Sequence, residues 1–487
     1  MSEEPDSASP DKGLERMLDD LFPYRRLMPT QRVIPDQGVD RDSVLTDIAR
    51  MAKAEDAVGD AGRVSGSLYS GDHAHYHFLA QVFEHFAHAN VLQRDMYPSA
   101  TKFEGEIIAM AAELLHDPQP IGVVTSGGSD SLIHALYSYR EEAREARGVR
   151  TPNVVMPLTA HVALRKGAHW MGIEVRDAPL TDAFTADVDA MAALVDDDTI
   201  ALIGSAGDYA HGLIDPIDCI GELAQSRGIG LHVDGCLGGF LLPWAETLGY
   251  DVPPWDFRVP GVTSISADTH KYGYALKGTS VLLYRDAALR SRQWFASTDW
   301  PGGLYLSPGL AGSRSGGLIA STWAAMVTLG REGYLAKAQA ILSTNDAIKA
   351  GIRTAIPELE IIGDPLFMTS FQSAKRSGLA APTADQSYEV DVYLVNDALK
   401  ERGWRMNALQ LPPALHFCVT GPNTQPGIAE DFLADPRAAV DYAVEHRGEP
   451  AKSGAMYGFD SMPNGDQTLR TVMGGVLDAM HVAAPEA

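Results

Sequence analysis

The sequence predicts an α/β protein: a large domain on a mainly parallel sheet, followed by a small α+β domain at the C-terminal end. From about residue 100 to 340, short apolar runs alternate with helix-like stretches: GVVTSGG, NVVMPLTA, TIALIGSA, GIGLHVDG, VTSISAD and TSVLLYRD. Runs of this kind are strands buried on both faces, with helices crossing over between them. Beyond 340 the pattern changes. AKAQAILSTNDAIKAGIRTA has the spacing of a helix, and LEIIG, MTSFQSA and VDVYLVNDALKERGW mix strand and helix periods. The linker falls near Gly330 to Leu335.

Residues 1 to about 60 read as a polar leader with short helices, and the first dozen are too polar to order. MSEEPDSASPDKGLERMLDD lacks the apolar core of a secretory signal, and no stretch reaches the roughly twenty apolar residues of a membrane span. GDHAHYHFLAQVFEHFAHAN follows, carrying His73, His75, His77, His85 and His88. His73 and His77 could share a helical face, but no carboxylate or cysteine completes a ligand set, and Phe, Leu and Val alternate through the segment as core residues do. No metal is expected.

The run ending at Thr125 opens into Ser126-Gly127-Gly128-Ser129-Asp130 and then helix-like LIHALYSYREEAREARG. Glycines let backbone amides approach an anion, the positive end of the following helix favours a phosphate, and Ser129 adds a hydroxyl donor. A turn that merely caps the helix has the same composition, so the residues further along decide. NVVMP leads to His161, GIGLHVD ends in Asp234, and VTSISAD leads to His270 and Lys271.

An Asp at one strand end and a His-Lys pair after another are what pyridoxal phosphate (PLP) chemistry needs. The lysine amine can join the cofactor aldehyde, and a buried carboxylate keeps the pyridine nitrogen protonated so that the ring accepts electrons. Lys277, six residues on, would depress the amine pKa and attract an anionic substrate.

Several long stretches carry a resemblance: VSGSLYSG, TSGGSDS, HVDGCLGGF, DFRVPGVTSISADTHKYGYALKGTSVLLY, STDWPGGLY, AGSRSGG, GWRMNALQLPPALHFCVT and AMYG, in order from about Gly62 to Gly458. In them the chain resembles the sphingosine-1-phosphate lyases, fold-type I PLP enzymes related to the group II amino-acid decarboxylases, in their soluble, bacterial-type form. The resemblance implies a seven-stranded, mainly parallel sheet in a transferase-like large domain. It implies Lys271 as the cofactor-linked lysine, Asp234 as the pyridinium partner and His161 as the imidazole stacked on the ring. Gly128, Ser129 and His270 would hold the cofactor phosphate, with Ser313 reaching in from the neighbouring subunit of a homodimer whose active site is composite. Tyr69 and Lys277 match residues that bind the substrate phosphate, and Tyr209 aligns with a tyrosine near the reacting centre. The same comparison makes residues 1–100 the dimer interface and substrate entrance, 101–335 the PLP-binding domain and 336–487 the small domain.

Two departures bear on the substrate. Where the family has a histidine in Leu-His-Pro-Asp, this chain has Leu92-Gln93-Arg94-Asp95, and Ser67 stands for the usual alanine beside Tyr69. Gln93 can still donate an amide hydrogen bond, and Arg94 could supply a guanidinium. The activity implied is retro-aldol cleavage of a phosphorylated long-chain amino alcohol to a fatty aldehyde and phosphoethanolamine. Amino-acid decarboxylation is the alternative, and it gains weight from Gln93. A catalytically silent PLP-fold protein is opposed by the presence of Lys271, Asp234 and His161.

Composition agrees without deciding. Lys plus Arg number 39 against 64 Asp plus Glu, a formal charge of −25, which disfavours nucleic acid and anionic lipid as general partners. Cys219, Cys236 and Cys418 form no Cys-x-x-Cys pair, and so sparse a set fits a reducing cytoplasm.

Overall fold

The computed structural model describes residues 18–19, 21–374, 390–454 and 465–485. The extreme N-terminal dozen and the AMYG motif at 455–458 lie outside the described residues. The chain divides into two units, one formed by residues up to Ala57 with those from Gly454, the other by Val58–Ser453. In the first, the Arg25 guanidinium pairs with Asp19 at 2.7 Å, and Gly465–Met480 is helical. Arg41–Asp60 is a single helix of 20 residues rather than the short helices expected, and it buries none of its side chains. Its alanines and straight-chain Lys, Arg, Glu and Met residues favour helix without a core to pack on.

In the second unit, seven strands make one sheet: β1 (Gly122–Thr125), β2 (Asn153–Pro157), β3 (Glu174–Ala178), β4 (Thr199–Ser205), β5 (Gly230–Asp234), β6 (Ser264–Ala267) and β7 (Ser280–Tyr284). Their order across the sheet is β1-β7-β6-β5-β4-β2-β3. From β6 to β3 every neighbour is parallel, and helices cross between successive strands. Every residue of β4 is buried, as a strand covered on both faces requires. The helix Gly128–Ala146 lays Leu132, Ala135, Leu136, Tyr139 and Ala143 against the sheet at the i, i+3, i+4, i+7 spacing of one helical face.

The alternation expected through TSVLLYRD breaks at β7, which runs antiparallel to both β1 and β6. No crossover helix separates β6 from β7; the loop 268–279 does, and a strand that returns through a loop of that length can pair antiparallel. That loop carries Lys271.

A second sheet of four antiparallel strands, in the order β10-β11-β13-β12, forms the small C-terminal part: β10 (Leu359–Ile361), β11 (Met368–Ser373), β12 (Asn407–Leu409) and β13 (Ala414–Cys418). Between β7 and β10, a short hairpin of β8 (Phe295–Ser297) and β9 (Tyr305–Ser307) precedes the helical run Gly316–Ala355. That run starts well before the AKAQAILS segment and is interrupted at Gly330, whose φ of 55° and ψ of −179° are non-helical. Only glycine takes up such a conformation at no steric cost.

Candidate active site

Residue pairing sets the centre of the site. Asp234 at the end of β5 lies opposite Ser266 of β6, so Asp268, His270 and Lys271 emerge beside it as the chain leaves the sheet. Because β7 is antiparallel to both β1 and β6, β1 runs parallel to β6. Gly128 after β1, His161 after β2 and Tyr209 after β4 therefore leave the sheet along the same carboxyl edge, where ligands of such sheets sit.

Lys271 Nζ stands 3.0 Å from Asp268 Oδ2, with only 2% of the Asp268 side chain exposed. Burial alone would lower the ammonium's pKa, but the negative charge of Asp268, followed by Cys236, Tyr69 and Asp234, raises it above the usual lysine range. Asp234 is buried and accepts the Cys236 backbone N–H at 3.0 Å. Burial pushes its carboxyl up, and electrostatic attraction to the His161 ring, the Cys236 hydrogen bonds and the Lys271 ammonium together hold it below the ordinary aspartate value. Asp234 is thus anionic while shielded from water, which is the state needed to keep a pyridine nitrogen protonated.

Sequence reasoning missed Asp268. Three residues before the lysine, at the end of an apolar run, it has the signature of an ordinary turn or cap, and only the fold turns it inward. Its presence also explains Gly128. A Cβ at that position would lie 2.6 Å from Asp268 Oδ2 and 2.8 Å from Oδ1. Gly128→Ala is expected to displace Asp268 and weaken PLP retention about ten-fold, given overpacking costs of about 1–3 kcal/mol. Spectral titration of the cofactor checks this.

The Gly128–Ala146 helix has no capping side chain at its start, and Gly127 before it has φ 149°. Its first N–H groups are therefore open to an anion, and the Ser129 side chain beside them is exposed. His270 donates its Nδ1 proton to the Thr279 carbonyl at 2.6 Å, and burial, opposed by Asp268, lowers its pKa. Its Nε2 is therefore bare, and contact with a phosphate oxygen requires a second proton, which a nearby dianion would favour.

His161 caps the helix Val162–Met171, its Nδ1 accepting the Ala163 N–H at 3.2 Å, so its own proton rests on Nε2. Its ring meets Tyr209 edge-on at 6.1 Å, and Tyr209 meets His416 at 5.1 Å. Two further residues unseen in the sequence position Tyr209. Asp208 accepts the N–H groups of His211 at 2.8 Å and Leu213 at 2.9 Å, fixing the turn. His416, from β13 of the small sheet, holds the Ala210 carbonyl at 3.1 Å.

Tyr69 packs edge-on against Tyr272 at 5.0 Å, and Lys277 Nζ sits 4.8 Å over the Tyr69 ring. Burial raises the Tyr69 phenol well above its usual pKa, so it is a donor at neutral pH. Burial and then Lys271 lower the Lys277 ammonium, against a smaller opposing pull from Asp268. Ser67, two residues before Tyr69, has φ 64°, a left-handed conformation that costs a non-glycine residue about 1 kcal/mol or more.

Gln93 and Ser313 form a separate group. The Ser313 hydroxyl accepts from Asn90 Nδ2 at 3.0 Å, and Gln93 N–H donates to the Asn90 carbonyl at 3.0 Å. Ser313 also lines a cavity of about 190 Å³ with Ser126, Asp130 and Arg314. Among the described residues, no hydrogen bond, ion pair or ring contact joins Gln93 or Ser313 to Tyr69, Lys271 or Lys277. The Arg94 guanidinium is engaged by the buried carboxylate of Glu104, which Arg314 also binds at 2.7 Å. In the His-rich helix His73–Phe86, His73 meets Asp60 at 2.8 Å and His75 meets the Tyr274 carbonyl at 2.8 Å.

These residues fit pyridoxal phosphate. An amine, a buried anionic carboxylate, a capping imidazole and an uncapped helix start converge at one sheet edge, which matches the aldehyde, ring nitrogen, ring face and phosphate of that cofactor. Residues 25–367 match the pyridoxal-dependent decarboxylase conserved domain. The sphingosine-1-phosphate lyase of Arabidopsis thaliana is 41% identical over 406 residues, covering 81% of this chain and 71% of that one. That of Dictyostelium discoideum is 36% identical over 451 residues, 92% of this chain and 82% of its own. The structure of a Burkholderia pseudomallei sphingosine-1-phosphate lyase superposes with a TM-score of 0.86 at 44% identity, over 95% of this chain and 99% of that one. A shared fold, a shared decarboxylase-type domain and identity of this extent across nearly the whole length make one assignment: the chain is a PLP-dependent enzyme belonging to the sphingosine-1-phosphate lyase family.

Proposed function

We propose that this enzyme is a carbon–carbon lyase that cleaves a phosphorylated long-chain amino alcohol into a fatty aldehyde and phosphoethanolamine. The observation that carries the reading is the second ammonium: the exposed Lys277 lies over Tyr69 within electrostatic reach of Lys271, at a site that already has the amine its cofactor needs. A decarboxylase acting on a small amino acid has no phosphate for such a cation to meet. PLP, when bound, supplies an electron sink for the bond broken next to the amine-bearing carbon.

The chain's own residues divide the remaining work. Asp234 holds a proton on the pyridine nitrogen, and His161 orients the ring. Lys277 and the Tyr69 hydroxyl bind the substrate phosphate, with Ser67 bordering its path and Gln93 brought to it across the interface of the dimer. The β-hydroxyl proton must leave as its carbon becomes the aldehyde. Tyr209, Tyr69 and the substrate phosphate itself are the candidates to take that proton. Lys271 returns one proton to the carbon that has lost its neighbour, and the two products balance the substrate.

We assign residues 1–100 to the dimer interface and substrate entrance, 101–335 to the PLP-binding domain and 336–487 to the small domain. A homodimer is supported by the apolar surface leading to Ser313: Phe295 is 60% exposed, Leu306 72% and Leu310 79%. Patches of that kind mark contact surfaces, and a second copy there would let Ser313 reach its partner's cofactor phosphate. Among the described residues no helix is long and apolar enough to cross a membrane. With the −25 charge and the three cysteines, this supports a cytoplasmic enzyme that binds no nucleic acid.

Incubation of the purified protein with a phosphorylated sphingoid base tests the reading. Aldehyde and phosphoethanolamine in equal amounts are expected; carbon dioxide from amino acids, with no aldehyde, contradicts it. Lys277→Ala should raise KM about 10–100-fold with kcat little changed, the value of a charge-assisted contact made equally in ground and transition states.

A further inference from the structure

We propose that Asp268 is a positioning residue for Lys271, holding its ammonium whenever the lysine is not joined to the cofactor. The inference rests on the PLP reading of the pocket and goes beyond it. Lys271 faces two carboxylates, and the function above uses only Asp234. Asp268 is the one in ion-pair contact, 3.0 Å from Nζ. Among the described residues its other ion-pair neighbour is His270, 3.7 Å away. Its Oδ1 is buried without a hydrogen-bond partner, and its carboxylate packs against Gly128, filling the space that a Cβ there would take.

A buried carboxylate deprived of its cation is strongly disfavoured. When Lys271 moves to the cofactor, Asp268 loses its 3.0 Å partner and keeps only the more distant His270 as an ion-pair neighbour among the described residues, and this favours the lysine's return. The lysine therefore has two stations in one pocket. Each turnover starts with a substrate amine taking the lysine's place on the cofactor, and Asp268 gives the displaced amine a berth as an ammonium. That biases the exchange towards substrate. The groups facing Nζ are Asp268, His270 and Lys277 on its own loop, Asp234 and Cys236 at the end of β5, Tyr69 from the 62–71 segment and Cys418 at the end of β13. Asp268 exerts the largest attraction of these.

Reloading of the PLP-free full-length protein, followed by its visible absorbance and by borohydride reduction with peptide mass mapping, tests this. For loading, Nζ gives up one proton to solvent and bonds to the aldehyde carbon, and the aldehyde oxygen leaves as water. Asp268→Asn should load about ten-fold faster or more near pH 7, because removing an adjacent opposite charge lowers the ammonium pKa by about one unit or more. Equal rates with equal pH profiles would overturn the proposal. Should the variant not fold, the unmodified protein still decides: its loading rate should keep climbing with pH beyond about 10.4, where an ordinary lysine amine levels off, and a plateau at or below that pH contradicts a held ammonium. Absence of any reducible link at Lys271 in the unmodified protein would instead sink the PLP reading itself.

Discussion

Lys271→Ala is expected to reduce turnover by at least on the order of 10³-fold and to abolish the visible absorbance of lysine-bound PLP while leaving the fold intact. Two functions vanish together: the covalent anchor, and the ammonium that returns a proton to the substrate carbon. Alanine also leaves Asp268 without its 3.0 Å partner, which lowers stability without unfolding the chain. Lys271→Arg separates the two effects. A guanidinium keeps the pairing charge but cannot act as a nucleophilic amine, so Lys271→Arg should melt near the unmodified protein and be as inactive as Lys271→Ala. Activity, absorbance and thermal unfolding measured on both variants check this.

Asp234→Asn is expected to lower kcat by on the order of 10²–10³-fold with a small effect on KM, since it removes a preorganised charge aimed at where charge develops. The substitution keeps the side chain's shape and can keep the Cys236 N–H contact of 3.0 Å through the amide oxygen. What it removes is the anion that holds the pyridine proton. The pH titration of the bound cofactor's spectrum should therefore move to lower pH, because a ring nitrogen without its carboxylate loses its proton more readily. A variant that merely loosened the fold would change melting and leave that titration where it was.

How much of this was legible in the sequence follows from what kind of signal each part leaves. The strands around the centre were readable because a buried parallel strand needs an uninterrupted apolar run, and NVVMP, TIALIGS and GLHVD supply one each. The antiparallel turn of β7 was not, since TSVLLY looks the same in either direction; its sense is fixed by the absence of a helix in 268–279. Lys271, Asp234 and His161 stood out by residue type at strand ends. Asp268 and His416 did not, because their roles depend on which surface they meet: Asp268 against Gly128, His416 across from the small sheet onto Ala210. Gln93 was visible as a departure, yet its grouping with Ser313 through the neighbouring Asn90 required the fold, as Ser313 lies 223 residues beyond Asn90.

Within one chain Gln93 and Ser313 are separate from Lys277 and Tyr69, so the proposed shared site needs a second subunit, and the proposed phosphate contact rests on Lys277. Arg94 does not take over from the missing histidine in this arrangement, because its guanidinium is already bound to Glu104.

The most direct test of the central claim is borohydride reduction of the PLP-loaded protein followed by digestion and mass analysis. The reduced cofactor is expected on Lys271, in the peptide containing ADTHK. Attachment to Lys277, only six residues away, or to no lysine at all, would contradict it.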